Sequence, residues 1–188
     1  NMKIKSTYTE KFGEILYNKV MEYRPKVICD IGVLHGFSTY HLAKAAKEIG
    51  SKVIAIDLFG DYKFNHGSLD GFVNNMKTGG VYDVVEVVKE DYLQWFRTQR
   101  PTVNMIHFDV SNTGDTIINL TNLVLGNPKI LFEGGTQSRD NVDWMIDYNK
   151  PKIIDTLNKH DIEFSVLCED RYDEGGRTYN PCLSELYL

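Results

Sequence analysis

The sequence predicts a three-layer α/β/α sandwich in a chain of 188 residues, built on a seven-stranded, mostly parallel sheet whose C-terminal strand runs antiparallel. Three observations carry that prediction. Short apolar runs rich in Val and Ile alternate with longer segments of helical periodicity, as strands do when crossover helices bury both faces of their sheet. Several of these runs close on an acid, which collects carboxylates along one edge, where open α/β sheets bind ligands. The segment joining the last two runs is too short for a crossover helix, so those runs pair as an antiparallel hairpin.

Each element follows from its own residues. Phe12, Ile15, Leu16, Lys19, Val20 and Tyr23 recur at spacings of three and four, which predicts an amphipathic helix over residues 8–23 that Pro25 ends. Residues 27–31 of VICDIGVLHGFS form the first strand, and Gly32 and Gly36 allow a tight turn with close ligand approach. A helix over 37–49 stops at Gly50, and 53–57 is the second strand. The loop LFGDYKFNHGS leads to a helix over 69–77, ended by Gly79 and Gly80. The third strand is 84–88, a short helix covers 92–97 before Pro101, and the fourth strand is 103–110. A helix over 115–125, a fifth strand over 129–133, one or two helices over 140–160 split at Pro151, and a sixth strand over 162–168 complete the alternation. The polar loop 169–181 then leads to LSELYL, the seventh strand.

One domain is expected over 1–188, with an N-terminal helix in 8–24 and a core from 27 onward; Asn1, preceding Met2, reads as a tag remnant. The composition is 42% apolar and 25% charged, which excludes a disordered chain, and no apolar run approaches the roughly 20 residues of a membrane span. A formal charge of −5 argues against nucleic acid as a partner. Cys29, Cys168 and Cys182 lack metal-ligand spacing, and the first and second lie in apolar runs, so a reducing, cytoplasmic setting is expected. The expected partner is a small-molecule substrate, and a homodimer is an open expectation.

The turn after the first strand reads D-x-G-x-x-x-G, not the G-x-G-x-x-G that clamps a pyrophosphate. Asp30 would repel that group and favours a cationic or neutral ligand, while Asp57 could take both hydroxyls of a ribose. Together they suit a nucleoside bearing an amino acid.

With these residues the chain resembles the class I methyltransferases that use S-adenosylmethionine, and their Rossmann-like fold is implied over essentially its whole length. DIGVLHGFS is similar to their first motif, which implies Asp30, Gly32 and Gly36 around the methionine part of the cofactor, with Ser38 opening the helix. VIAID resembles the second, placing Asp57, with Leu58 beside it, on the ribose; KEDYLQWF is similar to the segment whose acid meets the adenine amine, here Asp91, with Tyr92 to stack. A reversed seventh strand also belongs to that family.

Within the class the resemblance is closest to the small O-methyltransferase-like group that includes macrocin O-methyltransferase, methyltransferase family 24. Its fourth strand ends hydrophobic-His-hydrophobic-Asp, here Ile106, His107, Phe108 and Asp109. Relatives carry a His where this chain has Asn112, and catechol-type relatives carry an Asn where it has Gly134. Only Asp109 and Glu133 remain as carboxylate ligands, a pair suited to magnesium or calcium with water filling the other positions.

Methyl transfer to a hydroxyl calls for a base near the methyl group, and Asp109, His35 and His66 are the candidates. His107, inside a strand, reads as a buried, hydrogen-bonded structural histidine. Arg139 could grip a substrate carboxylate or phosphate, with Trp144 nearby. The competing reading has Ser138 or Asp140 capping the next helix while Trp144 packs as core. The loop with Arg171, Arg177, Gly175 and Gly176 reads as an exposed hairpin loop, a lid or an oligomer contact. The expected activity is S-adenosylmethionine-dependent O-methylation of a hydroxyl on a sugar or other specialised metabolite. A nucleotide- or NAD-binding enzyme on a similar sheet and a non-catalytic cofactor-binding module are the alternatives.

Overall fold

Five parallel strands and the helices between them set one edge of the sheet, and that edge carries the site. In the computed structural model, which describes residue 2 and residues 4–188, the chain runs α1 (Glu10–Tyr23), β1 (Val27–Ile31), α2 (Phe37–Ile49), β2 (Lys52–Asp57), α3 (Leu69–Thr78) and β3 (Val85–Lys89). It continues through α4 (Tyr92–Gln99), β4 (Met105–Phe108), α5 (Gly114–Leu123) and β5 (Lys129–Glu133). Three short helices follow, α6 (Gln137–Asp140), α7 (Asp143–Asp147) and α8 (Ile153–Lys159), then β6 (Glu163–Glu169), β7 (Tyr172–Glu174), β8 (Arg177–Tyr179) and β9 (Cys182–Tyr187). Asn1 lies outside the described residues.

The main sheet has the order β3-β2-β1-β4-β5-β9-β6. The first five strands pair in parallel, and β9 is antiparallel to both neighbours. Side chains alternate across the sheet, as the strand period of two requires. Ile28, Val53, Ala55, Met105 and Leu131 pack with residues of α1, α2 and α3 on one face. Cys29, Ile31, Ile54, Ile56, Ile106, Phe108 and Ile130 pack with α4, α5 and α8 on the other. Those two apolar layers are the core of the sandwich, and the three cysteines are buried free thiols. Among the described residues no helix is long and apolar enough to cross a membrane.

Three departures from the sequence reading have local causes. The hairpin expected at the C-terminal end exists between β6 and β9, but β9 also inserts against β5, so β6 takes the edge. The loop between them folds into a small β7–β8 ribbon around Gly175 and Gly176, both at positive φ. Of the one or two helices expected over 140–160, two form, α7 and α8 on either side of Pro151, while the short α6 ahead of them, capped by Thr136, was not expected.

Lys19 sits on the otherwise apolar stripe of α1 because β9 presents a buried acid there. Its ammonium lies 3.1 Å from Glu185, whose carboxylate also accepts from the Tyr23 hydroxyl. A buried carboxylate without such a partner would be strongly disfavoured.

Candidate functional site

The turn after β1 is built around a close approach. Gly32 has φ 82°, and a Cβ there would lie 2.0 Å from the backbone oxygen of Asp109, so only glycine lets the ends of β1 and β4 meet. Gly36 opens α2 at φ 94°. Between them Leu34 holds φ 51°, a conformation unfavourable for a side chain with a Cβ, and Asp57 stabilises it. One oxygen of Asp57 accepts from the backbone N–H groups of Val33 and Leu34 at 2.8 and 3.1 Å, and the other accepts from Phe59 N–H at 2.7 Å. A carboxylate has about four acceptor positions, so one remains toward the ligand side. The expected bidentate grip on two ribose hydroxyls is thereby reduced.

Above this turn lies a cavity of about 1180 Å³ at the carboxyl ends of the strands. Single-ligand pockets run to roughly 300–1,000 Å³, and this space lies just above that range. Gly32, Ser38, Asp57, Leu58, Asp91 and Tyr92 line it, and so do Asp109, Glu133, Arg139 and Trp144. Asp91 caps α4 through one oxygen, which accepts from Gln94 N–H at 3.1 Å. Tyr92 stacks edge-on against Phe108, and burial followed by the charge of Asp91 pushes its phenol up to about 12.

Asp30 is placed otherwise than expected. It is fully buried and does not line the cavity; its carboxylate accepts from Ser38 Oγ at 2.8 Å, Thr39 Oγ1 at 2.6 Å and His107 Nδ1 at 2.7 Å. The acid opening the first motif therefore fixes α2 and β4 rather than meeting a ligand ammonium. Ser38 lies inside α2, with Gly36 as the N-cap. His107 is the buried, hydrogen-bonded residue the sequence suggested, and its Nε2 meets the Tyr8 hydroxyl at 3.3 Å. Burial lowers its proton affinity, but the hydrogen bond and charge of Asp30 outweigh that and raise it overall. Sequence reasoning missed Tyr8, which also lines the cavity; its only signal was a tyrosine just before the first helix.

Of the three candidate bases, Asp109 alone lines the cavity. His66 is exposed, with Nδ1 against the Phe64 carbonyl at 2.7 Å, and His35 offers its backbone carbonyl to Asn75 at 3.0 Å. The half-buried Asp109 carboxylate makes no side-chain hydrogen bond among the described residues, and desolvation together with the Glu133 charge pushes it up to about 7. A carboxyl with that proton affinity is poised for proton transfer at neutral pH.

Glu133 is committed to Arg139. Arg139 Nε lies 2.7 and 2.9 Å from the two carboxylate oxygens, and Nη2 donates to the Asn112 carbonyl at 3.1 Å. Asn112 itself braces β4 against β5, donating to Phe108 O at 2.9 Å and Glu133 O at 2.7 Å while accepting from Val110 N–H. The expected metal pair does not fit this arrangement, because a guanidinium already neutralises Glu133 and would repel a divalent cation. Among the described residues no group of three His, Cys, Asp or Glu side chains is placed to hold one.

Around Arg139 the capping reading is partly realised. Thr136 caps α6, and Asp140 caps α8 by accepting from Ile153 and Ile154 N–H, both at 2.9 Å, while Ser138 has no such role. Trp144 is not core; it is half-buried on the cavity wall, its ring 5.2 Å from Arg139 Cζ, and Met145 packs inward instead. The β7–β8 ribbon closes another side through Arg177, Thr178 and Tyr179.

The family model described as Methyltransferase domain, Methyltransf_24, matches residues 29–140, more than half of the chain and most of this site. The chain belongs to this methyltransferase family. No curated protein matches it. Among solved structures, the O-methyltransferase from Bacillus cereus in complex with SAH is 16% identical with a TM-score of 0.68, over 100% of this chain and 85% of that one. The cofactor-bound Rv0187 from MTB is 17% identical at TM-score 0.69, over 97% and 82%. The O-methyltransferase TomG from Streptomyces achromogenes, involved in tomaymycin synthesis and solved with SAM, is 13% identical at TM-score 0.64, over 95% and 80%. At these identities the structures establish that the methyltransferase shares their fold.

Proposed function

We propose that this methyltransferase uses S-adenosylmethionine to methylate a hydroxyl of a small molecule, with Asp109 as the general base. The observation that carries the reading is a base of raised proton affinity, free of side-chain hydrogen bonds among the described residues, in a cavity just above the single-ligand size range. Two relatives of the same fold were solved with SAM or SAH, which supports the choice of cofactor.

The residues present fit that cofactor. Gly32 brings backbone to the cavity wall, Asp57 keeps an acceptor position for a ribose hydroxyl, and Asp91 keeps an oxygen for an amine beside the Tyr92 ring. When bound, S-adenosylmethionine supplies an electrophilic methyl group on a sulfonium. The protein's part is to align the acceptor and take its proton: Asp109, ionised above about pH 7, accepts the hydroxyl proton. Trp144 and Tyr8 line the same cavity, and we assign them to the acceptor.

Calorimetry with S-adenosylhomocysteine and NAD tests the cofactor. Tight binding of S-adenosylhomocysteine alone is expected, and Asp57→Ala should weaken it by about 1.5–3 kcal/mol, the worth of hydrogen bonds to a charged group. Binding of NAD in its place would overturn the reading. Turnover of pooled metabolites with labelled cofactor then identifies the acceptor.

A further inference from the structure

One polar atom of the cavity wall has no use in the fold. Arg139 is 7% exposed, its Nε is bound by Glu133 and its Nη2 by the Asn112 carbonyl, yet Nη1 is buried with no hydrogen-bond partner among the described residues. The guanidinium lies under the Trp144 ring and shares the cavity with Asp109. A charged donor held so firmly and left unpartnered is uncommon, because buried polar groups are nearly always satisfied.

We propose that Arg139 is a catalytic residue whose Nη1 donates to the acceptor oxygen while Asp109 takes its proton, so that the guanidinium stabilises the oxyanion where other arrangements would place a divalent cation. The inference rests on the methyltransferase reading above. The balance is simple. The hydroxyl proton passes to the Asp109 carboxylate, the oxygen lone pair forms the bond to the methyl carbon, and the carbon–sulfur bond breaks with its electrons left on sulfur, discharging the sulfonium. Negative charge grows on the oxygen before the methyl bond is complete, and a donor fixed in place by Glu133 and Asn112 meets that charge without reorganising. Glu133 thereby acts as a positioning residue, aiming the guanidinium through Nε.

The test uses 4-nitrophenol, whose phenolate is read by its visible absorbance. The probe is titrated into the full chain carrying Asp109→Asn, which imitates the protonated base, in the presence of S-adenosylhomocysteine and a chelator. Bound probe is expected to show an ionised-to-neutral ratio about tenfold or more above that of free probe at the same pH. Adding Arg139→Gln should abolish that shift, and so should Arg139→Gln with Glu133→Gln, which removes both buried charges together and leaves neither stranded. Probe that fails to bind, or ionises in the cavity as in water, overturns the proposal, as does a shift that survives both variants. If neither variant holds S-adenosylhomocysteine, the Asp109→Asn protein decides alone: a shift under chelator supports the proposal and its absence overturns it. Calorimetry with S-adenosylhomocysteine reads the cofactor assignment separately, so the two can fail independently.

Discussion

Asp109 and His107 are two residues apart, and their environments move them to different ends. Asp109 faces the cavity, and its raised proton affinity means the folded chain binds a proton up to about pH 7 where the unfolded chain releases it near the ordinary value of 3.8. Stability from this group therefore falls as pH rises from about 4 to 7 and stays reduced above. Asp109→Asn should accordingly gain on the order of 3 kcal/mol over wild type at pH 8, read by urea unfolding, with the gap closing toward pH 4. Turnover should move the opposite way. It rises with pH and levels off above about 7 in wild type, and the Asn variant loses roughly 10²–10⁴-fold, the usual worth of a general base. His107 belongs to the fold, held between Asp30 and Tyr8. His107→Leu strands Asp30 in the interior and should cost about 3 kcal/mol or more. The protonation-linked part of His107's contribution is present below the ordinary histidine range and is lost as pH rises through its raised value, so the difference between variant and wild type should narrow in alkaline buffer.

At the scale of elements, the turn between β1 and α2 joins three parts of the chain that are distant in sequence. Asp57 from the end of β2 holds its N–H groups, and Asp109 from the end of β4 touches the place where Gly32 lacks a side chain. Gly32→Ala needs both an unfavourable φ and a parting of two strand ends, so a loss of about 2–4 kcal/mol is expected by denaturant unfolding, together with weaker cofactor binding. How far these elements could be read in advance follows the same line. The strands and the helices up to α5 were legible because each carries its own periodicity and its own glycine or proline stop. Asp57, Asp91 and Asp109 were legible as cavity residues because strand ends are set by sequence. The inward turn of Asp30 was not, since its partners Ser38, Thr39 and His107 come from α2 and β4, and no local pattern reports a hydrogen bond across a sheet. The pairing of Glu133 with Arg139 was hidden for a related reason: the irregular residues 134–136 between β5 and α6 set no direction of one side chain toward the other. In the segment after β5 the break at Pro151 was legible, and the extra turn of α6, four residues too short to show a period, was not.

For the whole molecule, the sheet provides a rigid floor and the chain after β5 provides the walls. The β7–β8 ribbon is tied mainly to itself, its Tyr172 and Tyr179 rings stacked 5.1 Å apart, yet Arg177, Thr178 and Tyr179 reach the cavity. Replacing residues 172–179 with a short Gly-Ser linker should leave the unfolding midpoint nearly unchanged while raising KM for the acceptor several-fold and sparing affinity for S-adenosylhomocysteine, as steady-state kinetics and calorimetry would show. A drop in cofactor affinity instead would place the ribbon over the cofactor. The strand order also governs timing. Because β9 lies between β5 and β6, a growing chain can assemble five strands and still present an open flank at β5 until residues 182–187 have been made. During that interval the unpaired edge of Ile130 to Glu133 is available to any other extended segment, its own later strand or a neighbour's, and each new chain must outlast that exposure before its sheet is complete.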